Sequence, residues 1–350
     1  MAQIDKPNLH FNTKLYTGNG GTQAVTGVGF QTDWCWIKNR GVAESHVLFD
    51  SVRGVQKAMN SNTSSAEATS SNYLTAFGTD GFTVGASGLV NDNSNTYASW
   101  NWKAGTTGSG TTTGSGTGKS YNYSVNTTAG FSIIKYTGNG TAGHTIPHHL
   151  GAVPAMVIVK RLENARAWCV GHGSQGWTKA AFLSGQDAFD SAYGYWNNAT
   201  PTSTSIALDD SVAINGNDET YIMYIFAEKK GYSKFGSYTG NGNADGKFVY
   251  TGFKAAWVMI KNASAGSTDW YIYDNKRGGP ASNIFGNPNK YFLRANLNNT
   301  EGNETFDIYS NGFKPRITNN FLNGDGNTLI YMAFAENPIV GTNGIPATAR

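Results

Sequence analysis

Tyr16-Thr17-Gly18-Asn19-Gly20 returns letter for letter at Tyr136 to Gly140 and at Tyr238 to Gly242, so the chain is written three times. Each pentapeptide follows a short apolar-basic lead-in: Lys14-Leu15, Ile133-Ile134-Lys135 or Lys234-Phe235. Each precedes an apolar run ending in lysine, Trp34-Cys35-Trp36-Ile37-Lys38, Met156-Val157-Ile158-Val159-Lys160 and Trp257-Val258-Met259-Ile260-Lys261, at 22, 24 and 23 residues from tyrosine to lysine. Apolar residues at successive positions predict a central strand buried on both faces. The asparagine and glycine ahead of it tolerate the positive φ of a tight hairpin turn.

A threonine followed six residues later by a large aromatic closes each copy: Thr96 to Trp102, Thr220 to Phe226 and Thr328 to Phe334. Copies one and three share Phe49-Asp50-Ser51-Val52-Arg53-Gly54 with Tyr273-Asp274-Asn275-Lys276-Arg277-Gly278, and Asp80-Gly81-Phe82 with Asn311-Gly312-Phe313. The middle copy lacks both and is the divergent one.

A repeat of about a hundred residues is a duplicated domain, above the roughly 20–50 residue period of solenoids and propeller blades. The 44 glycines and 13% aromatics suit short strands and tight turns, and no long segment repeats its apolar residues at helical spacing. The expected fold is therefore all-β: three tandem antiparallel β-sandwiches of jelly-roll type. The expected organisation is residues 1–105 for the first repeat with an N-terminal arm, 121–230 for the second, 231–338 for the third and 339–350 for a tail. Residues 106–120 are almost entirely Gly, Ser and Thr. They are expected to be a flexible linker, spanning roughly 20 Å, that lets copy one move like a bead on a string.

Only 14% of residues are charged, with a formal net charge of +3. Basic and acidic residues number 7 and 7 in copy one, 8 and 8 in copy two, and 11 and 8 in copy three. No copy carries the basic stripe of a phosphate-backbone binder, so nucleic acid is not an expected partner. The amino terminus lacks a basic head and apolar core, and no apolar stretch is long enough for a membrane helix, so neither a signal peptide nor membrane insertion is expected. Cys35 and Cys169 occupy non-equivalent places and are expected to be reduced, packed thiols of a protein made in a cytoplasm.

No nucleophile elbow, phosphate loop or zinc pattern is present, so no enzymatic activity, catalytic residue, cofactor or metal is expected. Pro147 in His144-Thr145-Ile146-Pro147-His148-His149 argues against a helix that would gather these imidazoles, which read as loop histidines. Trp34, Trp36, Trp100, Trp102 and Trp257 recur at matched positions, as core residues of a duplicated domain do. Trp168, Trp177, Tyr195, Trp196, Trp270 and Tyr271 lie in the variable middle of their copies and are binding candidates, because aromatic faces at a sandwich end stack on sugar rings. Asp274 and Arg277 join them as planar groups that bond hydroxyls, with a turn-fastening ion pair as the structural alternative.

The run from Lys14 through Gly20, with Gly27-Val28-Gly29-Phe30, Leu48 to Gly54, Gly78 to Phe82 and Ala98-Ser99-Trp100-Asn101-Trp102-Lys103-Ala104-Gly105, resembles a repeat domain of virion proteins from tailed bacteriophages, especially marine and cyanobacterial ones. Copy two is similar to it through Tyr136 to Gly140, Ile146 to Gly151 and Pro154 to Lys160. The resemblance implies concanavalin-lectin-like sandwiches and a virion structural protein, a tail fibre or tail-associated adhesin. Its implied partners are other virion proteins and a host-surface polysaccharide or receptor, with homo-oligomerisation. The alternative it carries is a capsid or tail decoration protein that packs on other virion proteins.

Overall fold

The computed structural model describes residues 3–278, 287–337, 339–340 and 346–347, so most of the expected tail lies outside the described residues. The fold is all-β, made of several antiparallel sheets with a few short helical turns. Copy one builds a four-stranded sheet from β1 (Phe11–Thr17), β2 (Trp34–Asn39), β3 (Val47–Asp50) and β4 (Thr96–Trp102) in the order β1-β4-β2-β3. Copy two repeats that order with β5 (Phe131–Thr137), β6 (Met156–Arg161), β7 (Cys169–His172) and β8 (Thr220–Phe226). Copy three repeats it with β9 (Ser233–Thr239), β10 (Ala255–Asn262), β11 (Trp270–Asp274) and β12 (Thr328–Ala335). The lysine-ended run is the buried centre of each sheet, and the threonine-to-aromatic closing strand pairs it with the lead-in.

Successive residues of a strand point to opposite faces, and here the two faces meet different cores. Cys35 and Ile37, Val157 and Val159, and Val258 and Ile260 pack inside their own copies, under the outer strands. Trp34 and Trp36, Met156 and Ile158, and Trp257 and Met259 all enter one common core shared by the three copies. The rings of Trp34 and Tyr224 stack across copies at 4.5 Å, and Phe11 stacks on Phe334 at 5.2 Å. The copies are thus packed face inward around one hydrophobic centre.

That packing corrects the bead-on-a-string expectation. Residues 106–120 are also ordered: Thr106–Thr111 pairs antiparallel with Ser120–Asn126, extending the copy-two sheet. Gly108 and Gly110 face Tyr123 and Tyr121 across that ladder, where a Cβ would lie 2.5 and 2.7 Å from the tyrosine oxygens. The glycines read as flexibility are spaces cut for two rings. Thr113–Gly114 then pairs with Thr145 and His144, and Thr112 Oγ1 accepts from Lys119 N at 2.8 Å.

Candidate functional site

The repeated pentapeptide is a latch. Its tyrosine hydroxyls donate to the carbonyls of Val90, Ile214 and Leu322 at 2.6, 2.5 and 2.7 Å. Its first glycine runs so close to the opposing backbone that a Cβ at Gly18, Gly138 or Gly240 would meet a carbonyl oxygen at 2.2, 2.4 or 2.2 Å. The asparagine N–H groups of Asn19, Asn139 and Asn241 donate to the side-chain oxygens of Asn91, Asn215 and Asn323 at 2.9, 3.0 and 3.0 Å. These three buried asparagines each stand five residues before the closing threonine, a recurring signal that sequence reasoning missed.

The strand registers place Asp50, His172 and Asp274 at equivalent positions, opposite Trp34, Met156 and Trp257. They also make Trp100, Tyr224 and Met332 equivalent. The two sets meet across the seams between copies. Trp100 Nε1 of copy one donates to Asp274 Oδ2 of copy three at 2.9 Å, and Tyr224 OH of copy two donates to Asp50 Oδ2 of copy one at 2.7 Å. The same oxygens accept from Arg277 Nε and Arg53 Nε at 2.5 Å, with every side chain of both ion pairs fully buried. Burial opposes charge on Arg53, but Asp50, Tyr224 and Glu67 override it and raise its pKa. Burial and Asp50 push the Tyr224 hydroxyl well above its usual range, so it is a donor.

At the third seam the carboxylate is replaced by His172 and the donor by Met332. His172 Nδ1 accepts from Ser174 N at 3.2 Å, the turn-capping task that Asp50 Oδ1 performs for Val52 and Arg53. Nε2 therefore carries the proton and donates to Tyr331 O of copy three at 3.3 Å. Burial holds this imidazole neutral, with its pKa lowered to about 4. Loss of the acceptor and loss of the donor occur together.

All eight residues singled out as binding candidates are buried, which corrects their reading as ligand contacts. Trp168 and Trp270 are equivalent to each other and to His46, and they cross seams: Trp168 Nε1 donates to Asn60 O of copy one and Trp270 Nε1 to Phe182 O of copy two, both at 2.9 Å. Trp177 and Trp196 meet edge to face at 5.8 Å over Gly171, inside the copy-two core with Tyr195. Tyr271 stacks on Phe321 at 5.2 Å in the copy-three core. Asp274 and Arg277 form the seam ion pair, with the Arg277 guanidinium 5.4 Å from the centre of the Trp100 ring.

The strand-ending lysines are buried too. Lys160 Nζ donates to Ser64 O of copy one at 3.2 Å, and Lys261 Nζ to Gln186 O of copy two at 3.1 Å. Lys38 Nζ donates to Val42 O at 3.2 Å, with Glu301 of copy three nearby. Burial lowers all three to about 8. His144 bonds Asn215 Oδ1 and Thr112 Oγ1 at 2.7 and 2.6 Å, His148 faces Thr202 O, and His149 stacks on Tyr123 at 3.8 Å. Among the described residues no group of three His, Cys, Asp or Glu side chains is placed to hold a metal. Cys35 and Cys169 are free, buried thiols; burial pushes Cys169 up to about 12.

Open clefts lie elsewhere. One of about 220 Å³ opens between the first strand of copy one and the end of copy three, lined by residues including Asn12, Thr13, Asn275, Lys276 and Glu336. Another, of about 230 Å³, runs along copy two beside Tyr121, Asn122 and Lys135. The family model of a domain of unknown function (DUF7483) matches residues 6–338, so a single family unit spans all three copies. Comparison with curated proteins and with solved structures returned no match.

Proposed function

We propose that this chain, which belongs to the DUF7483 family of unknown function, is a non-enzymatic structural component of a tailed-bacteriophage virion, a tail fibre or tail-associated adhesin. The observation that carries this reading is the use made of the repeat. Its matched tyrosines, asparagines, aromatics and ion pairs join three copies into one body, and its clefts and loops face outward. Such a body serves as a display platform. Because the copies are packed together, they do not search independently for receptors on a tether. Avidity on host-surface glycan or receptor then comes from several chains mounted on the particle. Chains of this class act with other virion proteins, and the near balance of charge in each copy supports partners other than nucleic acid.

Decoration of a capsid or tail is the second reading. It is favoured by Tyr250 on the short strand Val249–Tyr250 of copy three and by Phe248 just before it, 64% and 46% exposed, a place where another virion protein would pack. Cryo-electron microscopy of the particle separates the two. Projection from the tail or a fibre supports adhesion, while a chain lying flat on the lattice with Tyr250 covered supports decoration. Absence of the chain from purified particles overturns both.

A further inference from the structure

The three seams are built to one plan, so each is a control for the others. Registers place Thr13 of β1, Ile133 of β5 and Phe235 of β9 at one position, opposite Trp100, Tyr224 and Met332. Ile133 and Phe235 enter the common core. Thr13 is 5% exposed, yet its hydroxyl has no hydrogen-bond partner. Across the seam from these residues, two further positions vary. The seam between copies two and one has Asp33 and Val52, with Asp33 Oδ2 accepting from Ala104 N at 2.8 Å and Val52 packed on the common core. The seam between copies three and two has Ala155 and Ser174, and Phe235 fills the space beside Phe226 at 5.9 Å. The seam between copies one and three has Ala256 and Lys276 facing the short Thr13, and there the cleft of about 220 Å³ opens.

Its lining is chemically mixed. Asn8 and Asn275 bring amides, Lys276 brings a cation, and Glu336 is an anion held by Lys254 at 2.6 Å. Asn275 Oδ1, like the Thr13 hydroxyl, is buried without a partner. Unpartnered buried polar atoms are rare and expensive, and two of them line this one cleft. Amides with charges of both signs match a ligand whose every hydroxyl both donates and accepts, and they mismatch an apolar ligand or a strong anion. The volume is below the roughly 300–1,000 Å³ of sites that enclose a drug-sized molecule. It fits one ring unit, with the rest of a chain in solvent.

We infer that the cleft between copies one and three is a saccharide-binding site, with Thr13, Asn275 and Lys276 as its contacts. This rests on the adhesin reading and gives it an address. The experiment uses the full chain and a panel of methyl glycosides, read by saturation-transfer NMR, with Thr13→Ile and Lys276→Val as variants. Each variant imports the residue found at the same position of another seam, so both should keep the wild-type unfolding transition. The expected result is saturation transfer to at least one glycoside and binding at least tenfold weaker in both variants. Undiminished binding in the folded variants, or no glycoside bound by the wild type, overturns the site. Attachment of the labelled chain to host cells is scored in parallel. Attachment that survives Thr13→Ile overturns the cleft and leaves adhesion standing, whereas glycoside binding without attachment leaves the cleft standing and overturns adhesion.

Discussion

The seam between copies one and three and the seam between copies three and two meet the same geometric demand with opposite chemistry. In the first, a buried carboxylate, Asp274, is surrounded by Arg277 and the Trp100 indole N–H. In the second, neutral His172 lines the same small cavity as Met332 and donates to a backbone carbonyl. The lesson is that a buried charge is kept or removed together with its partners. Removing one member alone strands the rest in a low dielectric, whereas replacing the whole set with neutral and apolar groups carries no such penalty.

The most drastic way to break the comparison is to remove the seams altogether. Residues 1–105 expressed alone should fail to fold, because Trp34, Trp36, Trp100 and Trp102 would lose the part of their core that the other two copies supply. Amide dispersion in an NMR spectrum reads this directly, and a well-dispersed monomer would show that the common core is dispensable. Next in size is Asp274→Ala or Asp50→Ala, which leaves an arginine buried without its carboxylate. A loss of about 3–5 kcal/mol in urea unfolding is expected, against about 1–3 kcal/mol for His172→Ala. Equal losses at the three positions would refute the distinction drawn between the seams.

Smaller changes sharpen it. Tyr224→Phe deletes one hydrogen bond to a carboxylate and should destabilise by about 1.5–3 kcal/mol, while Met332→Leu at the equivalent position should stay below about 1.5 kcal/mol. The smallest effect concerns the lysines common to all three copies. Their folded-state pKa near 8 lies below the ordinary 10.5, so folding disfavours the charged form and stability should rise as pH climbs from 7 through 8 toward 10.5. Lys160→Met should remove part of that rise, less than about 1 kcal/mol between pH 7 and 8.5. A pH profile identical to wild type would show that Lys160 is not held below its ordinary range.

Much of the all-β architecture is legible in the sequence. The pentapeptide marks each copy, the apolar run marks its central strand, and apolar residues on both faces predict burial on both sides, as Trp34 to Ile37 show. The candidate site was not legible because equivalent positions lie at different spacings in the three copies. Trp168 and Trp270 looked unmatched because the spacing drifts between copies, yet Trp270 pairs with Lys261, and Trp168 and His46 stand one residue beyond the ends of the equivalent ladders, at the same position. Asp274 and Arg277 were legible as a pair, but the sequence did not reveal that their third partner is Trp100, 174 residues away.

The sequence by itself determined the threefold writing of the chain, its strand-and-turn chemistry and the apolar content of each central strand, since these are local properties of spacing and side-chain type. Only the tertiary structure decided what covers the second face of each sheet. A strand apolar on both sides demands a cover without naming it, and three copies closing on one another satisfy that demand as well as three separate sandwiches would. The closure buries Trp168, Trp270 and the two seam ion pairs, and leaves open the seam where threonine replaces isoleucine and phenylalanine.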